Sequence, residues 1–307
     1  MTITFVHSHR AFVPEVQAYS RFFGSLGHEC RLVRPREIEG SLTDVEWHFI
    51  GRDQHKAKKG RIKIHEYLTR SVGTVGPLKD YAKKLFSVKP DYRIFLNDYV
   101  KQNFSFRDEV PFGFRDMGID PLWQQQARDA IKVPDYDFVY VGDLGKAREL
   151  EKLFDAFTQP SLQNRSLLVV GRDYSALQQK YSRFPNLIFQ GPFDHEAMPA
   201  VLQKARYGIN FIPDKAPFNQ QTSTKFLEYA ACGLPIVTTR YNWVKNFQKE
   251  YAGNYFYLDH DLSNLDWDMI QNFPFSAPDL TQWTWENQIR SSGVVEFLDQ
   301  VQPGKRK

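Results

Sequence analysis

The sequence predicts an α/β protein built from two doubly wound, Rossmann-like parallel-sheet domains. Its 307 residues exceed what one small core ordinarily holds. Short runs rich in β-branched and aromatic residues alternate with stretches of helical length, which is typical of repeated strand–helix units. Most of these runs end in glycine or a polar loop. Because open parallel sheets bind ligands at the carboxyl ends of their strands, we expect the functional site at such loops.

The first predicted domain covers residues 1–120. Pro14 suits the first turn of the helix that follows the opening strand, and Gly27 is placed to end that helix. A second helix is expected in PLKDYAKKLFSV. The strands are expected in ITFVHSH, RLV, EWHFIG, RIKIHEY and YRIFLN.

Residues 121–134 carry scattered proline and charge, which predicts a linker. Residues 135–282 then form the second predicted domain, and residues 283–307 a closing helix and tail. The strands of the second domain are expected in FVYVGDL, SLLVVG, LIFQG, YGINFIP and PIVTT. Helices are expected in ARELEKLFDAF, YSALQQKYSRF, HEAMPAVLQKA and TKFLEYAACG.

Composition narrows the function classes. No apolar run reaches the length of a membrane span, and the opening residues lack the pattern of a signal peptide. Two distant cysteines, Cys30 and Cys232, fit a reducing compartment, so we expect a cytoplasmic location. Five of the nine residues 55–63 are basic, which indicates either a solvated loop or an anion-binding surface for peripheral membrane contact. The stretch has no interleaved aromatics, so a nucleic-acid partner is not expected.

One stretch, TSTKFLEYAACGLPIVTT at residues 222–239, reads as a helix followed by a strand. Ser223 and Thr224 are candidate cap residues, and a helix start favours bound phosphate. Lys225 would add a point charge for a diphosphate, while Glu228, one turn later, would accept hydrogen bonds from a ribose diol. A surface ion pair between Lys225 and Glu228 would also explain this spacing. The spacing alone favours the ion pair over a donor site.

Residues 185–239 resemble the donor-binding lobe of GT-B glycosyltransferases, especially family 4. The resemblance is carried by a strand ending in glycine, a helix, a strand ending in proline and a characteristic run. That run consists here of Lys225, Glu228, Tyr229, Ala231, Gly233 and Pro235. It implies a GT-B fold, a nucleotide-diphosphate-sugar as donor substrate, no cofactor, and a donor site in which Glu228 binds the ribose and Lys225 the diphosphate.

The chain departs from the family pattern at two positions. Gln220 stands where many family members have a second glutamate near the donor sugar, and Asp143 stands after Gly142 where many have a phosphate-binding arginine. Candidate replacements for that arginine are Lys146, Arg148 and Arg172, each with a solvent-facing alternative. Phe193 is a further candidate, beside the base of the donor.

The first domain matches the family only in its order of elements. His65 closes the strand RIKIH, where relatives often carry a histidine that faces the donor sugar, so it is the catalytic candidate of this domain beside Lys225. Ser8, His9 and Arg10 follow the first strand and are candidates for the acceptor side. For all four, a structural or loop role is an equal alternative.

Two Asp-x-Asp patterns, at residues 135–137 and 266–268, match a metal-binding motif of the other large glycosyltransferase fold. They are short and frequent by chance, so no metal is expected. The resemblance to family 4 implies a retaining, metal-independent glycosyltransferase, and we expect it to act on a glycan or lipid-linked acceptor. The alternatives are a non-catalytic nucleotide-sugar-binding scaffold and, less favoured, a nucleotide-sugar 2-epimerase.

Overall fold

A computed structural model describes residues 1–7, 13–49, 53, 60–69, 71, 76–129 and 134–301. The chain divides into two compact units. The first comprises Met1–Gly118 together with Trp283–Lys307, and the second comprises Ile119–Gln282.

The first unit contains a six-stranded parallel sheet in the order β2-β1-β3-β4-β5-β6. Its strands are β1 (Thr2–Val6), β2 (Glu29–Val33), β3 (Val45–Phe49), β4 (Ile62–Tyr67), β5 (Tyr92–Phe95) and β6 (Phe112–Phe114). Its helices are α1 (Pro14–Ser25), α2 (Gly76–Phe86), α3 (Asp98–Phe104), α11 (Trp285–Ser291) and α12 (Val294–Gln300).

The core of this unit forms where α1, α11 and α12 cover one face of the sheet. Phe5, Trp47 and Ile64 are buried in the same cluster as Ile289 and Leu298 from the C-terminal helices. Residues 283–301 therefore complete the hydrophobic core of the first unit although they follow the second unit in sequence.

The second unit contains another six-stranded parallel sheet, in the order β12-β11-β10-β7-β8-β9. Its strands are β7 (Tyr136–Val141), β8 (Leu167–Val170), β9 (Leu187–Gln190), β10 (Ala205–Asn210), β11 (Ile236–Thr239) and β12 (Phe256–Leu258). Its helices are α4 (Pro121–Asp129), α5 (Glu151–Phe157), α6 (Ser175–Lys180), α7 (Met198–Leu202), α8 (Thr224–Ala231), α9 (Asn242–Tyr251) and α10 (Trp267–Gln271).

The order of this second sheet locates a binding position. The chain builds the sheet outward from β7 to β9, and β10 then pairs with the other side of β7. Strand order therefore reverses between β7 and β10. At such a switch point the connecting loops diverge and leave a crevice at the carboxyl ends of the two strands.

Both sheets confirm the predicted doubly wound parallel architecture. One boundary differs from the prediction: residues 121–129, expected in a linker, form α4, which lies against α7 and α8 in the second unit. Trp123 explains the difference, because its side chain is buried and contacts the His195 ring, with ring centroids 4.7 Å apart. Among the helices that the structure describes, none has both the length and the apolarity to cross a bilayer.

Candidate functional site

A cavity of about 100 Å³ opens at the switch point between β7 and β10. The ends of these two strands, the loop after β7 and the start of α8 enclose it. The lining residues are Tyr140, Val141, Gly142, Asp143, Arg148, Ile209, Asn210, Phe211, Ile212, Phe218, Gln221, Thr222, Ser223, Thr224 and Lys225. Of the predicted donor-site residues, the structure thus brings Gly142, Arg148, Ser223, Thr224 and Lys225 together around one space.

Helix α8 begins at this cavity, and Ser223 caps it as predicted. The Ser223 hydroxyl accepts a hydrogen bond from the Phe226 amide at 3.3 Å and donates one to Oδ1 of Asn210 at 2.6 Å. The first amides of a helix lack carbonyl partners within the helix and carry a partial positive charge. The cavity wall at Thr224 and Lys225 therefore favours an anion.

Asn210 is the residue that sequence reasoning missed. Its side chain is buried at the end of β10, where its Nδ2 donates to the Thr238 hydroxyl at 2.9 Å and to the Tyr241 hydroxyl at 3.0 Å. This network fixes the Ser223 cap against β11 and α9. The only local signal was a polar residue that ends the apolar strand YGIN.

Lys225 and Glu228 form the ion pair that their spacing allowed. Lys225 Nζ lies 2.8 Å and 2.7 Å from the two carboxylate oxygens of Glu228. The pair is not a freely solvated one, because the side chains are only 31% and 13% exposed. Lys225 lines the cavity, whereas Glu228 lies one helical turn away from the cavity mouth. Lys225 and Glu228 therefore form the predicted ion pair, and this pair also lies beside the cavity.

Arg148 is the second cation at the cavity. It follows the loop after β7, with its guanidinium 4.5 Å from the centre of the Phe218 ring and its Nε 3.9 Å from a carboxylate oxygen of Asp143. The Nε atom is buried and has no hydrogen-bond partner. Asp143 in turn accepts a hydrogen bond from the Gly145 amide at 3.0 Å, which shapes the loop. Stacking on Phe218 holds the Arg148 side chain at the cavity wall.

Besides Glu228, four residues predicted for the donor site lie outside the cavity lining, and one of them, Lys146, is exposed. Arg172 is exposed after β8, and Phe193 is exposed after β9, both on the side of β7 away from β10. Gln220 belongs to a short 3-10 turn, Phe218–Gln220, where its Oε1 accepts a hydrogen bond from Asn242 at 3.1 Å. Its neighbours Phe218 and Gln221 line the cavity, so Gln220 is close to it along the chain.

Comparison with known proteins agrees with this geometry. Residues 135–260 match the family described as "Glycosyl transferases group 1". Over 86 residues the chain is 34% identical to "Putative teichuronic acid biosynthesis glycosyltransferase TuaH" of Bacillus subtilis (strain 168). That match spans 27% of this chain and only 21% of the relative.

Whole-chain structural likeness extends to proteins with little sequence identity. One is AviGT4, a glycosyltransferase involved in avilamycin A biosynthesis, with a TM-score of 0.61 at 14% identity over 98% of this chain and 97% of that one. Another is Alr3699/HepE of Anabaena, solved with UDP-glucose, with a TM-score of 0.61 at 14% identity over 98% of each chain. The chain has the GT-B fold. A UDP-GlcNAc 2-epimerase of Methanocaldococcus jannaschii is also similar, with a TM-score of 0.54 at 10% identity over 98% of this chain and all of that one.

The first unit of this GT-B protein requires a correction at His65. The strand continues past it to Tyr67, so His65 lies within β4 and is only 4% exposed. Its Nε2 is 3.0 Å from Asp53, and its Nδ1 is 3.3 Å from the Tyr67 hydroxyl. Burial lowers the pKa of His65 to about 4 despite the hydrogen bond to Asp53. The ring is thus enclosed within the strand and not at its end, and the catalytic role of His65 stays a prediction.

The same buried cluster changes the interpretation of the basic stretch at residues 55–63. Lys63 is 1% exposed, with its Nζ 2.5 Å from Asp53 and 3.3 Å from Glu46. Arg61 donates to Glu46 at 2.8 Å. Burial opposes ionisation of Glu46, but the nearby His48 ring, the hydrogen bond from Arg61 and the charge of Lys63 lower its pKa to about 2. Two of the five basic residues therefore neutralise buried carboxylates and do not face a membrane.

Several predictions fall on residues outside the described part of the chain. These are Ser8, His9 and Arg10, and the remaining basic residues Lys56, Lys58 and Lys59.

The Asp-x-Asp patterns have structural partners. Asp137 accepts hydrogen bonds from the Ser166 amide at 2.9 Å and from its hydroxyl at 3.3 Å. Asp266 caps α10 by accepting from the Met269 amide at 2.9 Å. Across the described residues, no group of three or more acidic, histidine or cysteine side chains is arranged to hold a metal ion.

Proposed function

We propose that this protein is a glycosyltransferase that moves a sugar from a nucleotide-diphosphate-sugar to a glycan or lipid-linked acceptor. The proposal includes retention of the anomeric configuration and no metal held by the protein. One observation carries it: the cavity at the β7–β10 switch point is surrounded by the start of α8, Lys225 and Arg148. The family match over residues 135–260 supports the reaction class.

The size of the cavity favours binding of the donor's phosphate groups. About 100 Å³ is well below the roughly 300 Å³ at which pockets for whole small-molecule ligands begin. It suits phosphate groups, with the nucleoside and the sugar lying outside. Helix amides, Thr224 and Lys225 would hold the diphosphate. Glu228, one turn further along α8, would then accept the ribose hydroxyls, as the resemblance implies.

The same groups would assist the reaction. When the sugar leaves, its bond to the terminal phosphate breaks and negative charge grows on the diphosphate oxygens. Lys225, Arg148 and the α8 amides are fixed before reaction, so they stabilise this charge without further reorganisation. A new bond to the acceptor oxygen replaces the broken one, and the acceptor proton leaves with the diphosphate. Because Lys225, Arg148 and the α8 amides would stabilise this charge, the proposal includes no metal.

Two comparisons support finer parts of the proposal. The UDP-glucose complex of Alr3699/HepE favours a UDP-sugar donor, and the description of TuaH favours a polysaccharide role. The proposal also includes peripheral membrane contact through residues 55–63. Of the five basic residues there, only Lys56, Lys58 and Lys59 would contact the membrane. Liposome binding that is unchanged after these three lysines are neutralised would remove that part.

The proposal is tested by calorimetric titration of UDP, GDP, ADP, CMP and inorganic pyrophosphate, with Mg²⁺ and with EDTA. Wild type should bind one nucleoside diphosphate in EDTA. Lys225→Ala should weaken both that nucleotide and pyrophosphate, because it removes a phosphate contact. Glu228→Gln should weaken the nucleotide about 10- to 100-fold, the loss of one charged hydrogen bond, but not pyrophosphate. Glu286→Gln breaks a comparable helical ion pair with Arg290 at 2.9 Å and should change neither.

Other outcomes separate the alternatives. If no nucleotide binds, or if Glu228→Gln leaves the nucleotide affinity unchanged, the pair is only a structural ion pair and the donor site is wrong. If the nucleotide binds but the chain neither transfers nor hydrolyses the sugar, the non-catalytic scaffold is correct, a reading that Gln220 favours. Interconversion of two nucleotide sugars without an acceptor would instead identify an epimerase, whose fold this chain shares.

A further inference from the structure

Helix α2 of the first unit turns its apolar side outward. Leu78, Tyr81 and Leu85 are 67%, 57% and 55% exposed. Their spacing of three and four residues places them on one side of the helix, within about 60° of each other. We call these three residues the α2 stripe. The side chain of Phe86 beside it is also about half exposed.

The inward side of the helix is polar. Asp80 is 6% exposed, and its carboxylate accepts hydrogen bonds from the Ser71 amide at 3.1 Å and the Ser71 hydroxyl at 2.7 Å. Lys83 Nζ lies 3.2 Å from the same carboxylate. A surface helix ordinarily buries its apolar side and exposes its polar side. Helix α2 does the reverse, so its apolar side is available to something outside this unit.

The charge around the α2 stripe is positive. Residues 76–91 contain four lysines and two aspartates. Asp80 pairs with Lys83 on the inward side, and Asp91 accepts a hydrogen bond from the Lys63 amide at 2.8 Å. The other lysines of this segment are Lys79, Lys84 and Lys89. Lys89 is exposed. An outward apolar surface with surplus lysines therefore complements a surface that is apolar inside and negatively charged at its edge.

The exposed apolar surface continues beyond α2. Lys84 Nζ donates to the Ser105 carbonyl at 2.5 Å and lies 6.0 Å from the centre of the Phe106 ring. Lys101, on neighbouring α3, lies 4.4 Å from the centre of the exposed Phe112 ring. Two lysine–aromatic contacts, Lys84 with Phe106 and Lys101 with Phe112, thus lie between α2 and the edge strand β6.

We propose that the α2 stripe docks the protein on an anionic phospholipid bilayer. Leu78, Tyr81 and Leu85 would enter the boundary between headgroups and acyl chains, while the lysines contact lipid phosphates. A helix with one leucine- and tyrosine-bearing side and lysines around it is typical of interfacial binding. The α2 stripe consists of two leucines and a tyrosine whose hydroxyl can stay at the headgroup level, which suits a bilayer interface. This inference stands apart from the proposed sugar transfer.

Vesicle co-sedimentation of the full chain tests the inference. Vesicles of phosphatidylcholine with phosphatidylglycerol should bind wild type at least about tenfold more tightly than phosphatidylcholine alone, because each lysine near an anionic surface adds about fivefold. Leu85→Asp should lower binding about tenfold or more. Leu122→Asp is the matched control, because Leu122 is also 55% exposed but lies on α4 of the second unit. It should stay within about twofold of wild type.

Three results would overturn the inference. Leu85→Asp and Leu122→Asp could lower binding equally, or neither could lower it. A variant neutral at Lys56, Lys58 and Lys59 could lose all binding while Leu85→Asp loses none, which would assign the contact to the basic stretch. Wild type could fail to bind vesicles but self-associate in sedimentation experiments, with Leu85→Asp monomeric, which would assign the α2 stripe to a second copy. Thermal unfolding of each variant shows whether a loss of vesicle binding comes from misfolding. Nucleotide titration shows whether the donor site is intact.

Discussion

Replacement of Tyr229 by phenylalanine isolates one hydrogen bond beneath the candidate site. The Tyr229 side chain is fully buried, and its hydroxyl accepts a hydrogen bond from the Val141 amide at 2.9 Å. Val141 ends β7 and lines the cavity together with Gly142. Phenylalanine retains the ring, so the packing is preserved while the Val141 amide loses its partner inside the protein.

The expected cost follows from that burial. A buried amide left without a hydrogen bond costs about 1–3 kcal/mol of unfolding free energy. For a domain the size of the second unit, each kcal/mol lowers the melting temperature by about 2–4 °C. Tyr229→Phe should therefore lower the melting transition of the second unit by about 2–12 °C. It should also weaken nucleotide binding several-fold, about 1 kcal/mol, because the end of β7 forms the cavity wall.

Differential scanning calorimetry and nucleotide titration measure the two effects. Tyr251→Phe is the control, because the Tyr251 hydroxyl donates to Glu250 at 2.8 Å in an exposed position on α9 of the same unit. Its loss should change stability by less than about 0.5 kcal/mol. If Tyr229→Phe has the same melting temperature as the Tyr251→Phe control, the hydrogen bond from the Val141 amide does not stabilise β7, and the role that we assign to Tyr229 is wrong.

Two further predictions concern stability. His65 has a pKa of about 4 when folded against about 6.5 when unfolded, so the unfolded state binds more protons between these pH values. Its stabilising contribution is complete above pH 6.5 and declines by about 3 kcal/mol as the pH falls to 4. His65→Gln should lose that pH dependence in urea unfolding, and an unchanged slope would contradict the pKa. Gly208→Ala should cost about 1–3 kcal/mol, because its Cβ would lie 2.7 Å from the Tyr229 ring. Gly40→Ala, which meets no atom within 4 Å, should cost little in the same thermal unfolding assay.

Much of the second unit could be predicted because its signals are local. The run from Ser223 to Pro235 contains the cap, the amphipathic helix α8 and the glycine that follows it within one stretch of chain. The structure confirms the Ser223 cap and the Lys225–Glu228 contact, since both join residues that lie within four positions of each other. Hydrophobic periodicity likewise predicted the alternation of strands and helices in both units.

The sequence did not predict which polar and charged side chains of the first unit are buried. The strand predicted in RIKIHEY includes His65, but nothing local indicates that Asp53, 12 residues away, contacts its ring. The local sequence around Arg61 and Lys63 indicates a solvated loop or an anion-binding surface. In the structure both side chains contact Glu46 on the neighbouring strand. Whether a charge is buried depends on partners that pair across the sheet, and those partners are far away in sequence.

The sequence by itself determined the order of elements, the parallel doubly wound class and the helix start that carries Lys225. These features follow from periodicity, capping and glycine placement, which act over a few residues. Only the tertiary structure decided that Asn210 anchors Ser223, that Arg148 reaches the cavity and that the apolar side of α2 faces outward. An amphipathic pattern states that a helix has two sides, but which side packs inward depends on the surface that the rest of the chain presents to it.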